Sequence, residues 1–258
     1  MAAKPRRIAI VTGASRGLGR AIALALAEDG CALVLAARDA KALAEVAAEA
    51  DKRGAAGSLV LSTDLSLPGS PSAVIDQAIK SFGRIDILIN NAGDTQRGDF
   101  LDLEDALHLS GFALKYHATV RMCRAAWTYL EESGGCIVNI AGIGAQTPDA
   151  QFSIGGPVNS ALINFSKAVS KRSGAPRVNV VCPGNIETDR LSRRIETYAD
   201  QNGLSREDAA RQMRDNLGID AYGKPEDVAS MVRYLCSPDA SYITGANFIV
   251  DGGATQGI

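Results

Sequence analysis

The residues whose types and spacing could do chemistry begin at the turn Thr12-Gly13-Ala14-Ser15-Arg16-Gly17-Leu18-Gly19. It follows the apolar run at 7–11 (RIAIV) and precedes an apolar-periodic run at 20–27. Strand, glycine turn and helix, in that order, form the setting in which glycines bind phosphate. Without side chains they let the backbone approach a pyrophosphate, which then sits at the helix N-terminus. A second group of residues bears on which dinucleotide fits. Proteins that prefer NAD place a carboxylate at the end of the second strand, where it accepts from the ribose hydroxyls and repels a 2′-phosphate. Here that segment reads Ala36-Ala37-Arg38, with no acid at Ala37. Arg38 and Arg16 can instead clamp a phosphate through charge-assisted hydrogen bonds. The pattern predicts NADP, with NAD the alternative and Asp39 a competing partner for Arg38.

Other reactive side chains give less. His108 and His117 are the two histidines of the chain, and both read as helix-surface or interface residues. The five cysteines (Cys31, Cys123, Cys136, Cys182, Cys236) are scattered, odd in number and without metal-ligand spacing. They predict reduced, buried thiols in a cytoplasmic protein and no metal. A formal charge of −2 gives no electrostatic reason to expect nucleic acid or membrane as a partner. No apolar stretch is long enough for a transmembrane span. The basic start of the chain leads into only five apolar residues, fewer than a secretory signal needs.

The elements that must position these residues follow from the hydrophobic pattern. Strands are predicted at 7–11, 31–37, 58–62, 85–90, 136–140, 177–181 and 247–250. Helices are predicted after 20 and at 40–52, 72–82, 103–133, 157–173 and 226–237. Strands apolar at nearly every position belong to a parallel sheet covered on both faces. Right-handed crossovers then give an α/β, doubly wound, Rossmann-like single domain over 1–258, with its ligand crevice at the C-terminal ends of the strands. The stretch 188–218 is polar and helix-prone with no partner strand, and reads as a substrate lid without recognisable chemistry of its own.

With these pieces in place the chain resembles the short-chain dehydrogenase/reductase family over nearly its whole length. The resemblance rests on the glycine turn, Asp64-Leu65, Asn90-Asn91-Ala92-Gly93, Ile137-Val138-Asn139-Ile140, Pro183-Gly184 with Thr188, and Ile243 to Ala246 with Asp251-Gly252-Gly253. It implies that Gly13, Ser15, Arg16, Gly17, Leu18 and Gly19 wrap the cofactor phosphates. Asp64 and Leu65 would meet the adenine, Asn91 and Gly93 the adenosine side and sheet end, and Pro183, Gly184, Ile186 and Thr188 the nicotinamide amide. Asn90 and Asn91 can equally tie neighbouring strands together. The family also implies a homotetramer or homodimer, an expectation strengthened by helices apolar on more than one face.

The segment that carries the family's chemistry departs from its pattern. Similar proteins hold a serine, a tyrosine and a lysine where this chain, aligned through 137–140, has Gly142, Gly155 and Asn159. The helix position that normally holds an asparagine falls at or next to Lys115, as in a divergent branch that pairs such a lysine with a Gly-x-x-x-Asn pattern. Lys115 then returns a cation to the pocket and Asn159 bonds the nicotinamide ribose. Alternatively Lys115 is an exposed helix lysine, the commonest fate of that residue. Asp94, Gln96, Gln146 and Gln151 fall in loops near the expected substrate. Three functions stay open: an oxidoreductase acting on a carbonyl or alcohol of a small molecule, a dinucleotide-binding partner or sensor without turnover, and a non-redox lyase or isomerase using Lys115.

Overall fold

The structure, a computed structural model, describes residues 7–256. The basic segment 1–6, on which the secretory-signal argument bears, lies outside the described residues. Strands β1 (Ile8–Thr12), β2 (Ala32–Ala37), β3 (Ser58–Ser62), β4 (Ile87–Asn90), β5 (Cys136–Ile140), β6 (Arg177–Pro183) and β7 (Asn247–Val250) form one sheet in the order β3-β2-β1-β4-β5-β6-β7. Every neighbouring pair is parallel. The order reverses between β1 and β4, which opens a crevice there beyond the strands' C-terminal ends.

Both sheet faces are covered, as the apolar runs require. Along β1 the side chains alternate, with Ala9 and Val11 facing one core and Ile8 and Ile10 the other. The first core takes helices α1 (Gly17–Glu28), α2 (Ala40–Lys52) and a C-terminal helix at Pro225–Cys236, through Ile22, Leu26, Leu43, Val46, Val228 and Val232. The second takes α3 (Ser70–Phe82) and the helix before β5, through Val74, Ile75, Met122 and Ala126.

Boundaries differ from the sequence expectation where local geometry intervenes. The single helix expected at 103–133 is instead α4 (Asp105–Phe112), a π-helical turn (Ala113–His117) and α5 (Ala118–Ser133). In that turn the Ala118 N–H donates to the Ala113 carbonyl, five residues back, which marks one extra residue in the coil. The helix expected at 157–173 is α6 (Gly155–Val169), displaced toward its glycines. Stretch 188–218 forms a hairpin of α7 (Asp189–Asn202) and α8 (Arg206–Leu217). It has its own small apolar cluster of Leu191, Ile195, Ala199, Ala209 and Met213. The C-terminal helix Pro225–Cys236 is α9. No helix among the described residues is long and apolar enough to cross a membrane.

Candidate functional site

The glycine turn between β1 and α1 is constrained by backbone contact. A Cβ on Gly19 would stand 2.1 Å from the Gly13 carbonyl oxygen, and Gly13 itself has φ +64°. Only glycine lets α1 start this close to the strand end. No side chain caps α1 and no acid stands in its first turn, so its N-terminal N–H groups are left for an anion. Across the cleft, the Thr188 methyl lies 3.4 Å from where a Gly17 Cβ would be. Asn91 holds the turn from β4: its Nδ2 donates to the Thr12 and Gly13 carbonyls at 3.0 and 3.2 Å. Asn90 ties β4 to β5 by donating to Asn139 Oδ1 at 2.8 Å. The strand-tying roles of both asparagines are thus present.

Arg16 and Arg38, the residues expected to clamp a phosphate, are both exposed. Arg38 is exposed, and Asp39 does not pair with it but caps α2, accepting from the Ala42 N–H at 3.0 Å. Arg16 makes only a loose ion pair, 3.8 Å from Asp189 on α7. Asp64 accepts from the Ser66 hydroxyl and backbone N–H at 2.7 and 2.9 Å. Those bonds, with a smaller pull from Arg38, hold its carboxyl below the usual range. Leu65 is buried beside it. At the far side, Pro183 ends β6, and a Cβ on Gly184 would lie 2.6 Å from the Asp251 Cβ. Ile186 is buried and precedes Thr188, the residue that starts α7.

Lys115 is not an exposed helix lysine. It sits in the π turn with 8% of its surface exposed. Its Nζ donates to the Ala141 carbonyl at 3.0 Å and to Asn159 Oδ1 at 2.6 Å. The stem packs on Gly93, where a Cβ would come within 2.8 Å of the Lys115 Cδ. Burial lowers its pKa to about 7, assisted by the Arg190 charge, with Cys182 and Asp94 opposing. An ammonium has three N–H donors, and two are used, so one remains for a ligand atom. Asn159 turns its Oδ1 to the lysine and leaves Nδ2 without a partner among the described residues, 3.0 Å from where a Gly142 Cβ would be.

Gly142, Gly155 and Asn159 lie around one pocket with Lys115. The space beside Gly155 is filled by the Phe152 ring, whose carbons lie 2.0 to 2.6 Å from where a Gly155 Cβ would stand. The same ring comes within 2.8 Å of a Gly144 Cβ position. Arg97 lies over the same ring, 4.6 Å from the centroid, and pairs with Asp149. The side chains of this pocket that could exchange a proton near neutral pH therefore centre on Lys115.

Several neighbours carried no sequence signal. Arg190 donates to the Gly93 carbonyl at 2.8 Å and pairs with Asp94 at 3.3 Å. Arg194, one turn on, donates to Asn185 Oδ1 at 2.5 Å. Stretch 188–218 thus brings two arginines against the loops after β4 and β6. Phe152 stood out neither by type nor by spacing. Of the loop candidates, Asp94 is engaged by Arg190, while Gln96, Gln146 and Gln151 are exposed. His117 is exposed and Tyr116 packs edge-on against Phe112 and Phe165, so neither joins Lys115. The five cysteines are free and buried.

Known proteins resemble this chain over its whole length. A family model described as enoyl-(acyl carrier protein) reductase matches residues 13–255. The NADPH-dependent reductase BacG of Bacillus subtilis (strain 168) is 32% identical, covering 98% of this chain and 99% of its own. L-Sorbose reductase from Gluconobacter frateurii, solved with NADPH and L-sorbose, superposes with a TM-score of 0.93 at 30% identity, over 98% of each chain. A variant of the actinorhodin polyketide ketoreductase with NADPH gives 0.92 at 29% identity over the full length of both. A parallel seven-stranded fold, a glycine turn that only glycine can form and full-length relatives agree: the chain belongs to the short-chain dehydrogenase/reductase family.

Proposed function

We propose that this protein is an NADPH-dependent reductase of a small carbonyl substrate in which Lys115 replaces the family's phenol as proton donor. The observation that carries the reading is the buried Lys115 ammonium, fixed by the Ala141 carbonyl and Asn159 with one N–H left over and a pKa of about 7. A general acid works best when its pKa lies near the operating pH.

The crevice suits the cofactor. The open α1 N-terminus and the glycine backbone take the pyrophosphate, with Gly13, Ser15, Arg16, Gly17, Leu18 and Gly19 around it. Arg16 and Arg38 hold the 2′-phosphate and thereby favour NADP over NAD. Asp64 and Leu65 bound the adenine, and Asn91 and Gly93 line the adenosine side. Pro183, Gly184, Ile186 and Thr188 receive the amide end. When bound, NADPH supplies the hydride.

Lys115 stabilises negative charge on the substrate oxygen and gives it a proton. Asn159 keeps the ammonium aimed and directs its free Nδ2 toward the nicotinamide ribose. Phe152 excludes water from the space beside Gly155, and the α7–α8 hairpin closes over the substrate as a lid. The free, buried thiols support a cytoplasmic setting. The exposed Phe100, Leu101 and Leu109 support a homotetramer or homodimer.

Following NADPH consumption over a panel of ketones, oxo acids and enones tests the reading. Turnover of at least one substrate is expected, with loss of the rate in Lys115→Met while NADPH affinity stays nearly intact. A rate that survives Lys115→Met overturns it. The same low lysine pKa also suits attack of the amine on a carbonyl, as a non-redox lyase or isomerase requires. Borohydride-dependent mass labelling of Lys115 by substrate without NADPH would favour that second reading.

A further inference from the structure

Three arginines converge on the substrate side of the crevice, and their charges do not balance. Arg97, in the loop after β4, pairs with Asp149 in the loop after β5. Arg190 on α7 pairs with Asp94. Arg194, four residues further along α7 and so on the same helix face, forms no ion pair among the described residues. Its one hydrogen-bond partner is the neutral Asn185 side chain, at 2.5 Å. A guanidinium offers five N–H donors in a planar fork, so most of this one is unspent.

Arg194 is also in an unfavourable place for an unpaired cation. Burial lowers its pKa, the Arg97 charge lowers it further and Arg190 adds to that, with Asp149 and Tyr222 opposing. A partly buried charge beside two like charges is costly unless an anion joins it. Asp149 is already engaged by Arg97, so no side chain at hand supplies that anion. Its neighbour along α7, Arg190, leads toward Lys115. Arg190 bonds the Gly93 carbonyl, and Gly93 packs on the Lys115 stem.

We propose that Arg194 is a specificity-determining residue that binds the carboxylate of an oxo-acid substrate, whose carbonyl is thereby turned toward Lys115. The assignment of the carbonyl end rests on the reading of Lys115 as proton donor. The assignment of the carboxylate end rests on Arg194 alone. With Arg97 and Arg190 each matched by an aspartate, one positive charge is left over, which suits a monoanion. The planar fork suits the two oxygens of a carboxylate. Asn185 accepts from Nη1, and the other N–H groups of the fork have no hydrogen-bond partner among the described residues.

Calorimetry on the NADP+-loaded protein tests the carboxylate site independently of turnover. The probes are 2-oxobutanoate, acetoacetate and 4-oxopentanoate, which set the carbonyl at increasing distances from the carboxylate, each with its methyl ester, and inorganic phosphate. At least one acid is expected to bind about 10- to 100-fold more tightly than its ester, the range of a charge-assisted hydrogen bond. Arg194→Gln should erase that difference and leave ester and NADP+ binding within about twofold. Arg194→Lys, which keeps the charge but not the fork, should retain part of it and serves where Arg194→Gln does not fold. Acids binding no better than esters overturn the proposal. So does an acid preference that survives both substitutions, or phosphate binding more tightly than every acid and responding to Arg194. Turnover by Lys115→Met of an acid that still binds through Arg194 would remove the lysine reading and leave the carboxylate site standing.

Discussion

At the β1–α1 turn Gly19 is hemmed in by backbone atoms, whereas at the β5–α6 end Gly142 and Gly155 meet side chains. Gly19 is fixed by a carbonyl oxygen of its own turn, and Asn91 braces that turn through two more carbonyls. At the other end the nearest atoms to a Gly142 Cβ belong to the Asn159 amide, and those nearest a Gly155 Cβ to the Phe152 ring. Backbone cannot yield without moving a strand or helix, while a side chain can change rotamer. The difference teaches that a substitution in the dinucleotide half disturbs the chain's own path, while one in the half around Lys115 can be met by a change of rotamer.

The strongest way to break this comparison is to add one methyl at each end. Gly19→Ala should cost about 3 kcal/mol or more, since the clash is with a carbonyl oxygen and overpacking already costs about 1–3 kcal/mol where side chains can adjust. Loss of soluble protein, or a collapse of NADPH affinity and of Tm, would register it. Gly142→Ala should stay folded and bind NADPH, because Asn159 can give way. If the two variants melt together, the contrast between backbone and side-chain constraint is wrong.

A smaller effect sharpens the second region. Gly155→Ala drives a Cβ into the Phe152 ring and should lower Tm, while the double variant with Phe152→Ala should recover most of the loss. A coupling of about 1–3 kcal/mol is expected from denaturation midpoints, and additive effects would show that the ring does not fill that space. Smaller again is Arg38→Ala, which should weaken NADPH about tenfold, as expected for one exposed charge-assisted contact, and leave NADH unchanged. Titration by nicotinamide fluorescence measures both, and equal losses for the two cofactors would discard the clamp.

Lys115 supplies a prediction with a defined sign. Its pKa is about 7 in the folded protein, against 10.5 as the ordinary value. Between those values the unfolded chain binds more protons, so stability from this group rises with pH across that window and is lowest below pH 7. Lys115→Met should therefore melt higher than the unaltered protein, with the gap largest below pH 7 and closing toward pH 10.5. Reductase activity should run the opposite way and fall as pH rises through about 7. A Tm gap that does not change with pH would show that the lysine is not held in a desolvated site.

Much of this was legible in the residues. Seven apolar runs gave the seven strands, because a strand covered on both faces has no polar side to blur it. The glycine turn was legible because its spacing is imposed by backbone geometry. Lys115 was visible as a position but not as a buried group, since a lysine on a helix reads as solvated surface. The π turn that carries it leaves no trace in a 3.6-residue periodicity extended over some thirty residues. Phe152 was invisible because the space it fills belongs to a glycine three places along. Arg194 was hidden for a different reason. In a helix as charged as α7, composition does not tell which cation is matched and which is spare.

The π turn has a consequence for how such a site can arise. An extra residue in a helix is a change of length, so no point substitution creates or removes it. Deleting one residue from 113–117 would return the segment to α-helical phase and rotate everything on one side by about 100° relative to the other. Either Lys115 would leave the pocket, or α5 would turn its buried face away from the sheet.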